Sequence, residues 1–305
     1  MRIFYNSVKS PAVREIESIR PGSWVHVESP SDEDLEKLSK DLKLDLDLLI
    51  DGVDVNESPR IEKEGQATYI FTRYSLPETE KLTTSPLLIV YTEEMVVTIC
   101  RLPFGGMDRL IEQGIFTSKR AQLVLAILTE INIGFKRRIN SVNRRILQIR
   151  AQLNRQQIDN KDFISFIDIE EDLNDFLLVL EPMRAVLNNL LNGRYMRLYE
   201  DDKDLIEDLS LGTTELTQLA TSLLATIRNV REAYSTITAN NLNKVFKLMT
   251  SVTILLSIFT LVTGFYSMNI QLPFAENPGA FWVILFFTAT IIGFVAYLFR
   301  RKRWF

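Results

Sequence analysis

The chain has 305 residues, which is enough for one large domain or two ordinary ones. Hydrophobic residues make up 46% of it and charged residues 24%, a combination that indicates a soluble part and a separate apolar part. The net charge of −4 argues against a nucleic-acid partner, because nucleic-acid binders normally carry a basic surplus.

The usage of cysteine and histidine limits the kinds of site that the chain can hold. The single Cys100 rules out an intrachain disulfide, and one His26 with one Cys100 cannot supply a His/Cys zinc site within one protomer. The sequence contains no GxxxxGKS or GxxxxGKT motif of a nucleotide-driven pump. The first residues do not form the apolar segment of a signal peptide, so we expect the N-terminus in the cytoplasm.

Residues 1–105 are predicted to form a cytoplasmic domain of mixed α and β structure. A helix is expected from Ser31, a serine cap followed by acidic residues, to about Leu38, and a further helical turn or two at Leu44–Ile50. Proline and glycine residues at 103–106 mark the end of this domain. Short runs rich in Val, Ile, Tyr and Thr predict five strands, at Arg2–Tyr5, Ser23–Glu28, Gln66–Tyr74, Leu87–Tyr91 and Met95–Cys100.

Residues 106–203 are predicted to form a helical hairpin, made by Ser118–Leu153 and Asp162–Asn192. Residues 119–157 carry mainly Arg and Lys, whereas residues 158–208 carry mainly Asp and Glu. Two interpretations stay open at this point. The two helices attract each other through solvated faces, or the acidic surface concentrates cations near a pore mouth.

The last long helix is predicted to be unusually long. No proline occurs between Pro182 and Pro273, so one helix can extend from about Asp204 to Tyr266, a length of ~90 Å at ~1.5 Å per residue. Because this exceeds the ~30 Å hydrocarbon core of a bilayer, residues 204–247 are expected to form a stalk that continues into the membrane. A seam typical of packing within the hairpin or between protomers recurs every three or four positions, at Leu216, Leu219, Leu223, Ile227, Val230, Tyr234 and Ile237.

Two segments, 248–267 and 281–299, are predicted to cross the membrane, because each has the length of a spanning helix and contains no charged residue. The connecting loop, 268–280, carries one formal charge, Glu276. Two such segments in tandem with a short loop favour a membrane protein over the core of a soluble one.

Basic residues predict the orientation of these segments. Lys244 and Lys247 precede the first span, the loop contains no Lys or Arg, and the tail 300–305 is basic. By the positive-inside rule, both termini are expected in the cytoplasm of a multi-pass cell-membrane protein, with the loop outside. The basic ring at the inner surface is expected to comprise Arg300, Arg301, Lys302 and Arg303.

The first span carries polar residues along one side, and this side extends back through Met249 and Phe246 to Asn243. Small and hydroxyl side chains in a stripe permit close contact between helices, or they line an aqueous pore inside a ring of identical helices. The second span has no comparable stripe, so we expect it to face lipid. The polar side of the first span consists of Thr253, Ser257, Thr260, Gly264 and Ser267.

The end of the first span, Gly264-Phe-Tyr-Ser-Met-Asn269, resembles the YGMN signature of CorA-type magnesium channels. The surrounding order is similar too, with Asn243-Lys-Val-Phe-Lys before the first span and a basic tail after the second. Two positions depart from the family pattern. Ser267 stands where the signature has glycine, and Ile258 stands where many members have proline.

The resemblance implies a homopentamer that combines an α+β cytoplasmic domain, long stalk helices and two C-terminal transmembrane helices. It also implies that Mg²⁺ is both the transported ion and a regulatory one, and that Asp208 helps to bind regulatory Mg²⁺ between protomers. By position, the outer mouth would comprise Tyr266, Ser267, Met268 and Asn269. The pore lining would comprise Asn243, Phe246, Met249, Thr253, Ser257, Thr260 and Gly264, with Phe246 and Met249 as an apolar constriction.

The leading hypothesis is a passive divalent-cation channel that is driven by the membrane potential and gated by cytoplasmic Mg²⁺. Its expected partners are further copies of the chain, membrane lipids and divalent cations. Two alternatives stay open: a related transporter of Zn²⁺, Ni²⁺ or Co²⁺, and a non-conducting membrane scaffold that senses metal. The sequence shows no nucleophile–base set or metal-ligand cluster of an enzyme, and His26 is interpreted as a structural strand residue.

Overall fold

The computed structural model describes residues 1–7, 10–77, 83–154, 160–269 and 279–302. The chain forms two compact units, Met1–Val230 and Arg231–Phe305. The first unit contains a seven-stranded sheet, and the second contains two apolar helical segments. The predicted fold class is confirmed: an α/β domain is followed by a long helix and by two C-terminal apolar segments.

The sheet of the first unit contains all five predicted strands and two more. In chain order its strands are β1 (Arg2–Ser7), β2 (Ser10–Glu15), β3 (Ser23–Glu28), β4 (Arg60–Glu64), β5 (Ala67–Ser75), β6 (Thr84–Tyr91) and β7 (Val96–Cys100). Their order across the sheet is β2-β1-β3-β7-β6-β5-β4. The neighbours β3 and β7 pair in parallel, and all other neighbours pair antiparallel.

The two strands that the sequence analysis missed lie at the two edges of the sheet. Strand β2 contains a proline and two charged residues, and β4 consists of charged residues around one isoleucine. Edge strands tolerate proline and charge because one side of their backbone is not paired within the sheet. Their composition therefore hid them from a search for apolar runs.

One face of the sheet packs against two short helices, α1 (Asp32–Leu42) and α2 (Leu46–Asp51). Leu35, Leu38 and Leu49 of these helices join a buried cluster with valine, isoleucine and phenylalanine side chains of the sheet. Helix α1 starts at the predicted cap: the Ser31 hydroxyl accepts from the Asp34 N–H, and the Asp34 carboxylate accepts from the Ser31 N–H.

The remaining helices of the first unit follow in chain order as α3 (Met107–Glu112), α4 (Arg120–Asn154) and α5 (Asn160–Leu191). The short helix α3 was not predicted, because the glycines before it indicated only a boundary. Helix α5 continues through Pro182. It ends before Gly193, which adopts a left-handed φ of +68° that favours glycine.

Helices α4 and α5 contact each other through both apolar and charged side chains. The buried rings of Phe135 and Phe176 meet edge to face, with centroids 5.6 Å apart. Asp172 of α5 forms ion pairs with Arg138 at 3.6 Å and with Arg145 at 3.9 Å. The opposite charges of the two helices therefore attract each other, as the simpler of the two interpretations expected.

The longest element is α6 (Glu200–Tyr266), which begins four residues before the predicted start at Asp204. Its first turn is stabilised by Asp202, whose buried carboxylate accepts from the Tyr199 N–H at 2.9 Å. The second unit comprises the part of α6 from Arg231 onwards and α7 (Ala280–Arg301). Both helices are long and apolar enough to cross a membrane.

Candidate functional site

The apolar part of α6 has a packed side and an exposed side. The packed side contains Ser251, which is fully buried, and the partly buried Leu255, Ile258 and Val262. These positions lie opposite the predicted polar stripe, because residues on an α-helix are separated by about 100°. The stripe itself is exposed along its whole length, at Asn243, Phe246, Met249, Thr253, Ser257, Thr260, Gly264 and Ser267.

The hydroxyl groups of this exposed side donate to their own helix. Thr253 donates to the Met249 carbonyl at 2.9 Å, Ser257 to the Thr253 carbonyl at 2.8 Å, and Thr260 to the Leu256 carbonyl at 3.0 Å. A hydroxyl oxygen that has used its proton still has lone pairs available as acceptors. These oxygens can therefore accept hydrogen bonds from water, including the waters that surround a cation.

A shallow groove of about 480 Å³ lies on the same side of α6, towards its C-terminal end. A Cβ atom added at Gly264 would meet no other atom within 4 Å. None of the described residues therefore requires glycine at this position. The groove is lined by Ser257, Thr260, Leu261, Gly264, Phe265 and Met268, none of which carries a charge.

The family signature lies at the end of α6. Tyr266 is the last helical residue, and Ser267, Met268 and Asn269 follow it with exposed side chains. Ser267 stands where glycine was expected, but its φ is not positive, so the backbone does not use the conformational freedom of glycine here. Its hydroxyl donates to the Gly264 carbonyl at 2.8 Å and so satisfies an acceptor at the helix end.

The remaining predicted site residues lie on α6, at the end of α7, or outside the described part of the chain. Asp208 is exposed on α6 and makes no ion pair within the described part of the chain. Arg300, Arg301 and Lys302 are exposed at the end of α7. The loop acid Glu276 and the tail residue Arg303 lie outside the described residues.

A second group of polar side chains lies in the sheet, and the sequence analysis did not predict it. His26 and Glu28 of β3 meet Cys100 of β7, with all three ligand atoms within 4.8 Å of one another. Burial lowers the pKa of His26 below its usual 6.5, and hydrogen bonding to Glu28 opposes that shift. Burial also raises the pKa of the Cys100 thiol to about 12. From the sequence alone, His26 and Cys100 form only a pair, because Glu28 joins them through the register of β3 with β7.

Comparison with known proteins decides the family. The profile of the CorA-like Mg²⁺ transporter protein family matches residues 22–301, nearly the whole chain. The chain belongs to this family. Together with the two apolar helices, this membership makes it a membrane protein.

Individual members of the family are also similar to the chain over most of its length. The cobalt/magnesium transport protein CorA of Methanocaldococcus jannaschii is 26% identical over 292 residues, which cover 92% of this chain and 90% of that protein. The complete structure of the CorA magnesium transporter from the same organism matches with a TM-score of 0.85 at 24% identity, covering 100% of this chain and 98% of that one.

A more distant structure shares the fold alone. The ZntB cytoplasmic domain from Vibrio parahaemolyticus matches with a TM-score of 0.65 at 11% identity, covering 79% of this chain and 98% of that one.

Proposed function

We propose that several copies of this chain, five by the family resemblance, form a passive channel that carries divalent metal cations, Mg²⁺ first, across the cell membrane. The relative from M. jannaschii is named as a cobalt/magnesium transport protein, which supports this cargo. The alternatives with Zn²⁺, Ni²⁺ or Co²⁺ as cargo, or with no conduction, are outcomes of the experiment below.

One observation supports the pore more than any other. The polar stripe of α6 faces away from the packed side of its own protomer, so it must meet lipid, water or another copy. In contact with lipid, the remaining lone pairs of the Thr253, Ser257 and Thr260 hydroxyl oxygens would accept no hydrogen bond, because hydrocarbon offers no donors. A ring of α6 helices that faces a shared column of water gives every one of these oxygens a partner.

The proposed lining suits an ion that keeps its water. Mg²⁺ dehydrates reluctantly and usually retains several waters when it binds to proteins. Hydroxyl and amide oxygens such as those of Thr260 and Asn269 can accept hydrogen bonds from this hydration shell without holding the ion as carboxylates do. Conduction needs binding that is favourable yet weak enough for exit.

The membrane potential supplies the driving force in this proposal. A divalent cation that moves inward gains about 4.6 kcal/mol per 100 mV, twice the value for a single charge. With both termini in the cytoplasm, the ion enters at Asn269 and leaves past Asn243. Phe246 and Met249, which are 56% and 61% exposed in the protomer, form the apolar constriction that closes the pore by dewetting.

Flux into proteoliposomes tests this function. The full chain is reconstituted, and uptake of Mg²⁺, Co²⁺, Ni²⁺ and Zn²⁺ is measured under an inside-negative potential. We expect Mg²⁺ uptake in the native chain and a loss of at least about tenfold in Asn269→Ala, because an outer ring of amides then lacks its oxygens. The matched controls are Asn243→Ala on the stripe, with reduced flux, and Asn241→Ala about 160° away around the helix, with native flux.

The other results are equally informative. Uptake of a transition-metal ion without Mg²⁺ would replace the proposed cargo and keep the pore. No uptake of any ion, in a sample that remains oligomeric, would contradict the channel and favour the metal-sensing scaffold. Equal losses in Asn243→Ala and Asn241→Ala would contradict the assignment of the pore-lining side.

A further inference from the structure

The group formed by His26, Glu28 and Cys100 combines three kinds of metal ligand in one place, which we call the β3–β7 cluster. It arises because β3 and β7 are parallel and their register pairs His26 with Thr98 and Glu28 with Cys100. Side chains at alternate positions of a strand share one face, so all three groups extend from the same face of the sheet. The cluster lies wholly within the first unit and includes none of the proposed pore residues.

The distances within the cluster fit a small ion. His26 Nε2 lies 3.0 Å from Glu28 Oε1 and 3.9 Å from Cys100 Sγ. Ordinary bonds to Zn²⁺ in tetrahedral geometry place ligand nitrogen and oxygen about 3.4 Å apart, and nitrogen and sulfur about 3.6 Å apart. These two separations therefore differ from those of an occupied site by only a few tenths of an ångström, and all three ligand atoms lie within 4.8 Å of one another.

A hydrogen-bonded support holds the imidazole in a ligating orientation. His26 Nδ1 lies 2.7 Å from the Thr98 hydroxyl, which also accepts from the Trp24 indole N–H at 2.8 Å. All three of these side chains are fully buried or nearly so. A second partner on the other ring nitrogen is the usual arrangement of a metal-binding histidine, since it fixes the ring and the tautomer.

The same network accommodates both forms of the site. Without an ion, Thr98 donates to Nδ1, and Nε2–H donates to the Glu28 carboxylate. With an ion on Nε2, the ring proton moves to Nδ1 and is accepted by Thr98, whose two lone pairs can serve His26 and Trp24 together. Within the support, this change turns the Thr98 hydroxyl proton away from Nδ1.

We propose that His26, Glu28 and Cys100 bind one transition-metal dication of the Co²⁺, Ni²⁺ or Zn²⁺ class in the sheet of the first unit. Binding to the Glu28 carboxylate and the Cys100 thiolate removes one proton, that of the thiol, and the neutral imidazole shifts its proton from Nε2 to Nδ1. One proton is therefore released for each ion, and the two negative charges balance the dication. A water occupies the fourth position, as is usual when a protein supplies three ligands.

This donor set discriminates against the proposed cargo of the pore. Thiolate and imidazole suit borderline and soft transition metals, whereas Mg²⁺ prefers six oxygen ligands in octahedral geometry. The Glu28 side chain is 38% exposed while that of His26 is 1% exposed, so an ion reaches the buried ligands from the carboxylate side. The cluster thus lets the domain bind a transition-metal ion in the presence of abundant Mg²⁺.

Cobalt spectroscopy on the full chain tests the proposal, because the sequence contains one cysteine and one histidine. The protein is prepared in detergent without a histidine tag, kept reduced with a phosphine, and titrated with Co²⁺ at roughly pH 8, since metal binding competes with protons. We expect a near-ultraviolet thiolate-to-cobalt charge-transfer band that saturates at one ion per chain. Such a band can originate only from Cys100.

Variants assign the remaining ligands and the support. Cys100→Ser is expected to abolish the band, and Glu28→Gln to weaken Co²⁺ binding by at least about tenfold. Thr98→Val, which keeps the shape of the side chain, is expected to weaken binding about 10- to 100-fold through the imidazole alone. Glu33→Gln, which changes an exposed acid of α1, is the matched control and is expected to bind Co²⁺ like the native chain.

Other results would overturn the proposal. These are the absence of the band in the native chain at millimolar Co²⁺, unchanged affinity in Glu28→Gln, or displacement of Co²⁺ by an equal concentration of Mg²⁺. The Asn269→Ala variant is expected to keep the band, so a failure of the pore and a failure of this site are distinguishable.

Discussion

The two units of the chain satisfy their polar side chains in different ways. In the first unit, buried polar groups bridge separate elements, as when Thr98 of β7 contacts Trp24 and His26 of β3. In the second unit, the hydroxyls of Thr253, Ser257 and Thr260 donate to carbonyls of the same helix, and the stripe they form is exposed. The first unit therefore joins separate elements through buried polar contacts, whereas the hydroxyls of the stripe bond to their own helix.

Truncating a phenylalanine in each unit gives the largest expected contrast. Phe135→Ala removes a ring that is 1% exposed and in contact with Phe176, so the free energy of unfolding should fall by about 3–5 kcal/mol. Phe246→Ala removes a ring that is 56% exposed in the protomer, and the unfolding free energy of the first unit should change by less than about 0.5 kcal/mol.

Urea unfolding in detergent measures both changes. All variants also carry Trp282→Phe and Trp304→Phe, so that Trp24 is the one remaining tryptophan. Its fluorescence then reports on the unfolding of the first unit, because Trp24 is fully buried in the sheet. If Phe246→Ala lowered the free energy of unfolding of the first unit as much as Phe135→Ala does, the contrast between the two units would be wrong. Phe246 would then support the fold of the first unit.

Replacing a glycine by alanine in each unit, at Gly52 and at Gly264, is expected to give a difference in stability of intermediate size. A Cβ at Gly52 would lie 2.5 Å from Leu88 Cδ2 and 2.6 Å from Leu88 Cβ, so Gly52→Ala should destabilise the first unit by about 1–3 kcal/mol. A Cβ at Gly264 meets open space in the protomer, so Gly264→Ala should leave unfolding unchanged. If copies of α6 surround a pore as proposed, Gly264→Ala should nevertheless reduce Mg²⁺ flux.

Thermal unfolding and proteoliposome uptake, measured on the same preparations, separate these effects. Native stability in Gly52→Ala would contradict the close contact with Leu88. Native flux in Gly264→Ala would show that the groove beside this glycine does not contribute to the ion pathway.

Asp208 gives the smallest expected change in stability, since it is an exposed acid with no ion pair to the described residues. Asp208→Asn should change the free energy of unfolding by less than about 0.5 kcal/mol. If it binds cytoplasmic Mg²⁺ between protomers, the substitution should reduce the inhibition of flux by Mg²⁺ on the cytoplasmic side.

The matched control is Asp204→Asn, another exposed acid one turn earlier on α6. Inhibition by internal Mg²⁺ that is unchanged in Asp208→Asn, or reduced equally in both variants, would remove Asp208 from a specific regulatory role.

Local sequence patterns were sufficient to predict most of the elements. The central strands are apolar runs, the Ser31 cap marks the start of α1, and the uncharged segments within α6 and α7 have the length of a bilayer. Strands β2 and β4 could not be found in this way, because an edge strand is defined by the pairing of its neighbour and not by its own composition.

Of the two candidate sites, one could be predicted from a local sequence pattern and the other could not. The polar stripe of α6 has a helical period, so it could be predicted from the sequence, whereas its direction relative to the packed side required the structure. The β3–β7 cluster joins Glu28 to Cys100, which are far apart in the chain and are brought together by the parallel register of two strands. No local pattern in the sequence encodes that register.

The burial of Cys100 has a practical consequence for labelling experiments. Its side chain is 0% exposed and its pKa is raised to about 12, so at neutral pH it offers thiol-directed reagents very little thiolate. Because it is the only cysteine, the native chain already provides a nearly silent background. Single cysteines can then be introduced on α6, as in Thr260→Cys or Val252→Cys. Alkylation of each by a water-soluble reagent shows which side of the helix is accessible to water.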